Sequence, residues 1–250
     1  MATIMLPNKL ALVTGGGSGI GRATCLVLER EGAVVIASDL NLASAQETVT
    51  MMSDPSKHLA LMVDVTKAEY INSAFAAIRA KYNAPPTLLV NSAGITGISP
   101  LVSLEEDLFA KVIDVNFKGT YLASKAVANA LIKENLSGSI VNVASITGVA
   151  GLQDNSCYAG SKGGVIAFTK SVCKELIKSG IRVNSVLPGP IDTPMLSVDN
   201  DIVKFAIDYL TPIGRAGQPK EVAEVIAFLL SERSSFMVGS CVEVTGGYRS

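Results

Sequence analysis

The chain has few of the residues on which hydrolases and metalloproteins depend. It contains one histidine, His58, and four cysteines, Cys25, Cys157, Cys173 and Cys241, with no C-x-x-C pair among them. Zinc ligands recur at short fixed intervals, so this scatter argues against a zinc site. A lone histidine near an apparent strand start also argues against a Ser-His-Asp hydrolase, and His58 reads as a loop residue. Scattered thiols suit a reducing compartment, where they serve as small core residues. An excess of charge is missing too: 21 basic and 22 acidic residues give a net charge of −1. A nucleic-acid groove or an anionic-membrane patch therefore has no electrostatic footprint, and small, roughly neutral partners fit better. No uninterrupted apolar run reaches the roughly 18 residues of a membrane span. The start, MATIMLPNKL, lacks a secretory signal's long apolar stretch and is not rich in Arg and Ser.

What is present is a chain of 250 residues, 48% hydrophobic, able to bury a large core. Nothing resembles a linker, and residues 1–250 read as a single domain. Short apolar runs alternate with helical patterns from end to end, the signature of βα units and a parallel sheet. The expected strands are Leu10 to Thr14, Ala33 to Ser38, Leu59 to Val63, Thr87 to Asn91, Ser139 to Val143, Arg182 to Leu187 and Cys241 to Val244. Helical patterns run over Arg22 to Glu31, Leu104 to about Ala130, Cys157 to Lys178 and Pro219 to Leu230. Three segments open with S/T-x-x-E: Ser44 with Glu47, Thr66 with Glu69, and Ser103 with Glu106. Each is expected to start a helix as a capping box. The stretch from Pro188 to about Thr211 has no clear pattern and follows the sixth strand, where open α/β sheets place ligand-contacting loops.

After the first strand comes TGGGSGIG, Thr14 to Gly21, carrying Gly15, Gly17, Ser18, Gly19, Ile20 and Gly21 into the next helix. Glycines here let the backbone turn sharply and approach a diphosphate, whose charge then lies at a helix N-terminus. Asp39, with Leu40 beside it, ends the second strand 18 residues past Gly21. A carboxylate there accepts hydrogen bonds from the ribose hydroxyls of NAD and repels a 2′-phosphate, so NAD(H) is expected over NADP(H).

A second constellation is NSCYAGSKGG, Asn155 to Gly164, which sets Tyr158 and Lys162 four residues apart. On a helix that spacing puts both on one face. A nearby ammonium favours a phenolate, so Lys162 is expected to lower the pKa of Tyr158 and make the pair a proton-transfer device.

In order along the chain, TGGGSGIG, Asp64-Val65, NSAG at Asn91 to Gly94, Val115-Asn116, Ser145, the Tyr158 and Lys162 pair, Pro188-Gly189 and VTGG at Val244 to Gly247 resemble the short-chain dehydrogenases/reductases over essentially the whole chain. One departure is Ser92, where many members have a second asparagine. Within the family, NSVLPGPIDTPM and GSCVEVTGGY are most similar to the 17β-hydroxysteroid dehydrogenase type 8 and 3-oxoacyl-carrier-protein reductase branch. The resemblance implies an α/β fold: one Rossmann-type, doubly wound domain with a seven-stranded parallel sheet, usually assembled as tetramers. It implies that Tyr158 exchanges the proton, that Lys162 also holds the nicotinamide ribose, that Ser145 steadies the carbonyl oxygen and that Asn116 extends a water-linked relay. It further implies Asp64 and Val65 at the adenine, Asn91, Ala93 and Gly94 on the adenosine side, and Pro188, Gly189, Ile191 and Thr193 at the carboxamide.

The substrate implied is a lipid-like ketone or alcohol, most simply a 3-oxoacyl or 3-hydroxyacyl thioester, with a 17β-hydroxysteroid as the alternative. A homotetramer, or a heterotetramer with a second reductase subunit, is implied, as is an intracellular setting, mitochondrial matrix or cytoplasm. Val198, Ile202, Val203, Phe205 and Leu210 offer apolar surface for either ligand. An acidic carrier protein would want a basic rim, whereas Lys133 and Lys174 lie beside Glu134 and Glu175, so a coenzyme A thioester is easier to accept. Presence of Tyr158, Lys162 and Ser145 argues against a non-catalytic nucleotide-sensing module; the alternative from another class is a non-catalytic NAD-binding subunit within a heterotetramer. The ending EVTGGYRS fits burial against a neighbour or a terminal strand in the chain's own sheet.

Overall fold

The structure is a computed structural model, which describes residues 4–196, 207, 209 and 211–248. Seven parallel strands form one sheet in the order β3-β2-β1-β4-β5-β6-β7. They are β1 (Leu10–Thr14), β2 (Val34–Asp39), β3 (Leu59–Met62), β4 (Leu88–Asn91), β5 (Gly138–Val143), β6 (Ile181–Pro188) and β7 (Cys241–Val244). All seven expected strands are present, with ends shifted by a residue where neighbouring hydrogen bonds continue.

The helices are α1 (Gly19–Arg30), α2 (Leu42–Thr50), α3 (Ala68–Tyr82), α4 (Glu106–Ile113), α5 (Gly119–Lys133), α6 (Thr147–Ala150), α7 (Ser156–Leu176) and α8 (Pro219–Leu230). Alternation along β1 explains how they divide. Ala11 and Val13 face a core containing Leu28 of α1, Val49 of α2 and Ile226 of α8. Leu10 and Leu12 face the opposite core, with Ile78 of α3, Leu131 of α5 and Cys173 of α7. Both faces are covered, so the strands read as apolar runs rather than alternating ones. Each of these large side chains contributes roughly 1.5 to 3 kcal/mol by leaving water.

The strand order reverses between β1 and β4. Successive connections there lead to opposite faces, opening a crevice at the carboxyl ends of the strands. His58 is a loop residue as expected, but a buried one, its Nδ1 accepting the Val35 amide hydrogen at 3.0 Å.

None of the three expected capping boxes forms. α2 begins earlier, capped by Asn41, whose side chain accepts from the Ser44 amide. Thr66 turns back to Asp64, and α3 starts only at Ala68. Ser103 closes a short 3-10 turn, its hydroxyl donating to the Pro100 carbonyl. In each case a closer partner takes the hydroxyl or the amide. A reciprocal carboxylate instead stands before α8, where Glu221 accepts from the Gln218 amide at 2.7 Å and also pairs with Arg215.

The long pattern expected from Leu104 to Ala130 is also interrupted. Between α4 and α5 the backbone widens into a π-turn at Asp114–Lys118, with Asn116 on its inner side. Single π-turns of this kind frequently mark functional sites. At the other end of the chain, β7 pairs with β6, so the terminal segment is part of the chain's own sheet. Val198, Ile202, Val203, Phe205 and Leu210 lie outside the described residues.

Candidate active site

A cleft of about 630 Å³ runs along the carboxyl edge of the sheet, from the turn after β1 to the loop after β6. At one end its wall is main chain. Gly15 has φ of +67°, and a Cβ there would sit 2.8 Å from the Ala93 backbone. At Gly21 a Cβ would sit 2.0 Å from the Gly15 carbonyl oxygen, so the turn closes only without a side chain. Ser18, the N-cap of α1, makes no side-chain cap bond, and the first turn of that helix carries no acid. Its amide dipoles therefore present positive charge to the cleft, a setting that fits the diphosphate of a dinucleotide.

Two carboxylates stand at this end. Asp39 accepts from the Gly17 amide through Oδ2 and from the Asn41 amide through Oδ1, both at 3.0 Å. Asp64 accepts from the amide and hydroxyl of Thr66, at 3.0 and 2.7 Å. Partial burial works to raise the Asp64 carboxyl, but the Thr66 bonds, with Lys67 and Lys118 nearby, win and hold it below the usual carboxylate range. The amide bonds orient both carboxylates.

At the other end the wall is made of side chains, with Ser145 and Lys162 buried and Tyr158 half-buried. Tyr158 and Lys162 share the inner face of α7, with Lys162 Nζ 5.7 Å from the phenol ring centroid and donating to the Val143 carbonyl at 2.8 Å. Ser145, just past β5, accepts the Thr147 amide hydrogen at 3.1 Å and is hydrogen-bonded to the Tyr158 hydroxyl. The two loops meet through Gly148, where a Cβ would lie 2.7 Å from the Gly163 nitrogen, so α6 packs directly onto α7.

The electrostatics differ from the sequence expectation. Burial pushes the Tyr158 phenol up from its ordinary value, and the Ser145 hydrogen bond only partly opposes this. Lys162 is pushed down to about 8 by its own burial. Desolvation thus outweighs the expected lowering of the phenol by the ammonium, and Tyr158 is held as a protonated acid near neutrality.

Eighteen of the expected residues line the cleft, among them Ser145, Tyr158, Lys162, the glycine-loop residues other than Gly17, and Asp39, Leu40, Asp64, Val65, Ala93, Gly94, Pro188, Gly189, Ile191 and Thr193. Three do not. Gly17 stands behind the turn, its amide already given to Asp39. Asn91 is buried in the core, donating to Ser124 Oγ at 2.9 Å and to Asn142 Oδ1 at 2.8 Å, so it braces β4 against β5 and α5 rather than lining the adenosine side. Asn116 accepts from the Ile95 amide at 2.8 Å and donates to the Ile95 carbonyl and Ser161 Oγ at 2.9 and 3.0 Å. Both of its donors are committed, so its side chain clamps the loop after β4; a relay through it has no support in these bonds.

The cleft also includes residues that sequence reasoning missed. Asn155 and Leu152 precede Tyr158, Lys111 and Val115 come from α4 and the π-turn, and Tyr248 turns in from the C-terminal end. Asn155 was within the quoted NSCYAGSKGG stretch, so its proximity to Tyr158 was available in the sequence. Val115 stands in the Val115-Asn116 motif, whereas nothing local marked Leu152, Lys111 and Tyr248, which arrive by tertiary packing.

A doubly wound sheet with a glycine turn at its switch point and a Tyr-Lys-Ser cluster across the same cleft defines an oxidoreductase built for a nicotinamide dinucleotide. Comparison with known proteins agrees. Residues 15–249 match the family model described as enoyl-(acyl carrier protein) reductase. The chain is 44% identical to a (3R)-3-hydroxyacyl-CoA dehydrogenase of Homo sapiens, covering 97% of this chain and 96% of that one. It is 40% identical to a 3-oxoacyl-(acyl-carrier-protein) reductase of Thermotoga maritima, covering 97% and 98% respectively. A crystal structure of a short-chain type dehydrogenase/reductase from Mycobacterium marinum superimposes with a TM-score of 0.93 at 30% identity, covering 98% of this chain and 97% of that one. The chain belongs to the short-chain dehydrogenase/reductase family, oxidoreductases that act on CH-OH groups with a nicotinamide cofactor. Among the described residues, no helix is long and apolar enough to cross a membrane.

Proposed function

We propose that this chain is an NAD(H)-dependent oxidoreductase that interconverts 3-oxoacyl and 3-hydroxyacyl thioesters, with residues 1–250 acting as one nucleotide-binding domain. The observation that carries the reading is the half-buried Tyr158 phenol, hydrogen-bonded to Ser145 and beside Lys162, on a cleft continuous with the glycine turn. The names of the relatives supply the substrate class, and the apolar Ile98, Leu152, Met195 and Leu196 in the cleft suit an acyl chain.

A nicotinamide bound in the cleft supplies or takes up the hydride. The chain's own groups manage the oxygen. As the carbonyl carbon is reduced, negative charge grows on its oxygen, and Ser145 donates a hydrogen bond to it. Tyr158 then passes its phenolic proton to that oxygen; in the oxidative direction the phenolate takes the proton back. Lys162 stabilises the transient phenolate through its charge, which the approach of the phenol to ionisation makes most effective in this dry setting. Asn116 positions the loop through Ile95, and so the wall opposite Tyr158. At the far end, Asp39 favours NAD(H), because a 2′-phosphate would face its carboxylate. Arg22 offers no offset, being engaged with Glu47 and the Gly17 carbonyl.

We also infer an oligomer, a homotetramer or a heterotetramer with a second reductase subunit, since exposed Tyr121 and Ile132 on α5 and Leu136 just beyond it supply apolar surface for a neighbour. The deciding assay is acetoacetyl-CoA with NADH set against estradiol with NAD. Turnover of the first is expected. Turnover of estradiol alone would assign the chain to steroids, and equal or tighter binding of NADPH than NADH would overturn the cofactor assignment.

A further inference from the structure

Among the described residues, four charged side chains line the cleft: Asp39, Asp64, Lys111 and Lys162. Three are already committed. Asp39 and Asp64 accept from neighbouring amides and a hydroxyl, and Lys162 is buried against the Val143 carbonyl. Lys111 differs. It is exposed on the last turn of α4 and makes no ion pair with any described residue. Asp107, one turn earlier, is beyond ion-pair distance, and Asp114, three residues on, is taken by Lys118 at 3.3 Å.

The helix fixes where this ammonium can reach. Val112, the next residue, is packed against Gly97, where a Cβ would lie 2.9 Å from Val112 Cγ2 and 2.9 Å from Cys157 Sγ. Gly97 lies in the middle of the segment from Ile95 to Ile98 that rims the cleft, and Cys157 precedes the reacting Tyr158. α4 is thereby held between the rim and the start of α7, and the flexible stem of Lys111 sweeps the mouth of the cleft. A cation at the cleft with no ion pair to any described residue discriminates ligands by charge: it gains nothing from a neutral ketone or steroid and attracts an anionic tail.

We propose that Lys111 is a specificity residue that receives the phosphate groups of a coenzyme A thioester as its acyl end enters toward Tyr158. This rests on the thioester reading above and deepens it, assigning the charged handle rather than the acyl chain as the feature read at the mouth. Lys111 touches no reacting atom; it is a positioning group for the substrate's remote end. Binding contributed by such remote contacts raises kcat/KM without altering the chemical step.

The test compares two substrates with the same reacting group, acetoacetyl-CoA and the uncharged acetoacetyl-N-acetylcysteamine thioester, in the full-length wild type, Lys111→Gln, Lys111→Glu and Lys111→Arg. The readout is the ratio of kcat/KM for the first to that for the second. In Lys111→Gln it should fall by about two- to fivefold, as for loss of an exposed ion pair. Lys111→Glu should lower it further and Lys111→Arg should restore it. Raising ionic strength should shrink the wild-type ratio toward that of Lys111→Gln. An unchanged ratio, an equal loss on both thioesters, or a raised KM for NADH would overturn the proposal, the last by assigning the cation to the dinucleotide's own phosphates. Wild-type turnover of the neutral thioester upholds the thioester reading whatever Lys111 does; if wild type turns over neither thioester, both fall together.

Discussion

At the glycine-turn end the cleft is shaped by main chain, and at the Tyr158 end by desolvated side chains. The first end works by absence: no Cβ at Gly15 or Gly21, no side-chain cap on α1, and carboxylates oriented by backbone amides. The second works by burial, which holds a phenol protonated and presses an ammonium down to about 8. Binding and chemistry are thus separated in space and in mechanism, so substitutions at the two ends should fail differently.

The sharpest contrast is Tyr158→Phe. It should lower kcat by about 10² to 10⁴-fold, the typical worth of a positioned acid, while the Kd for NADH stays within about twofold. Retained turnover would erase the distinction between the ends. Gly21→Ala should do the reverse. Its Cβ has no room beside the Gly15 carbonyl oxygen, so the turn must open, with NADH binding weakened at least about tenfold and stability reduced by about 1 to 3 kcal/mol. Fluorescence titration and thermal melting read both; normal NADH affinity would mean that the turn does not cradle the dinucleotide.

A smaller effect is expected of Asp39→Asn, which keeps an acceptor for the amides but removes the charge. The preference for NADH over NADPH should shrink by about three- to tenfold in the ratio of Kd values, and no change would show that the carboxylate does not read the ribose.

The smallest effect lies away from the cleft. Burial lowers the pKa of His58, chiefly by desolvation. The unfolded chain, with a histidine near its ordinary value of about 6.5, therefore binds the proton first, so this group's contribution is intact above that pH and is lost as pH falls through and below it. Melting at pH 7.5 and 5.5 should show an acid loss of up to about 1 kcal/mol in wild type that is absent from His58→Gln. An identical loss in both would remove His58 from the account.

The strands were legible because each is a short apolar run covered on both faces, a pattern that needs no knowledge of partners. The glycine turn and the Tyr158-Lys162 pair were legible for a similar reason, since each lies within one helical turn or one tight loop. The starts of α2, α3 and α4 were not. Ser44, Thr66 and Ser103 carry the right residues for capping, yet Asn41, Asp64 and Pro100 offered nearer bonds, and a pattern of types does not rank competing partners. The side-chain placements of Asn91 and Asn116 were not legible for a related reason. An amide at a motif position can face the cleft or the core, and only the neighbours Ser124, Asn142, Ile95 and Ser161 settle which.

By itself the sequence determined the parallel sheet, the glycine turn after β1 and the placement of Tyr158 and Lys162 on one helix face, because these follow from local periodicity and from residues close in the chain. Tertiary structure alone decided the protonation of Tyr158 and Lys162, the burial of His58, the braces made by Asn91 and Asn116, and the arrival of Lys111 and Tyr248 at the cleft. Those properties depend on how much water and which distant groups surround a side chain, and that is settled only when the helices close over the sheet.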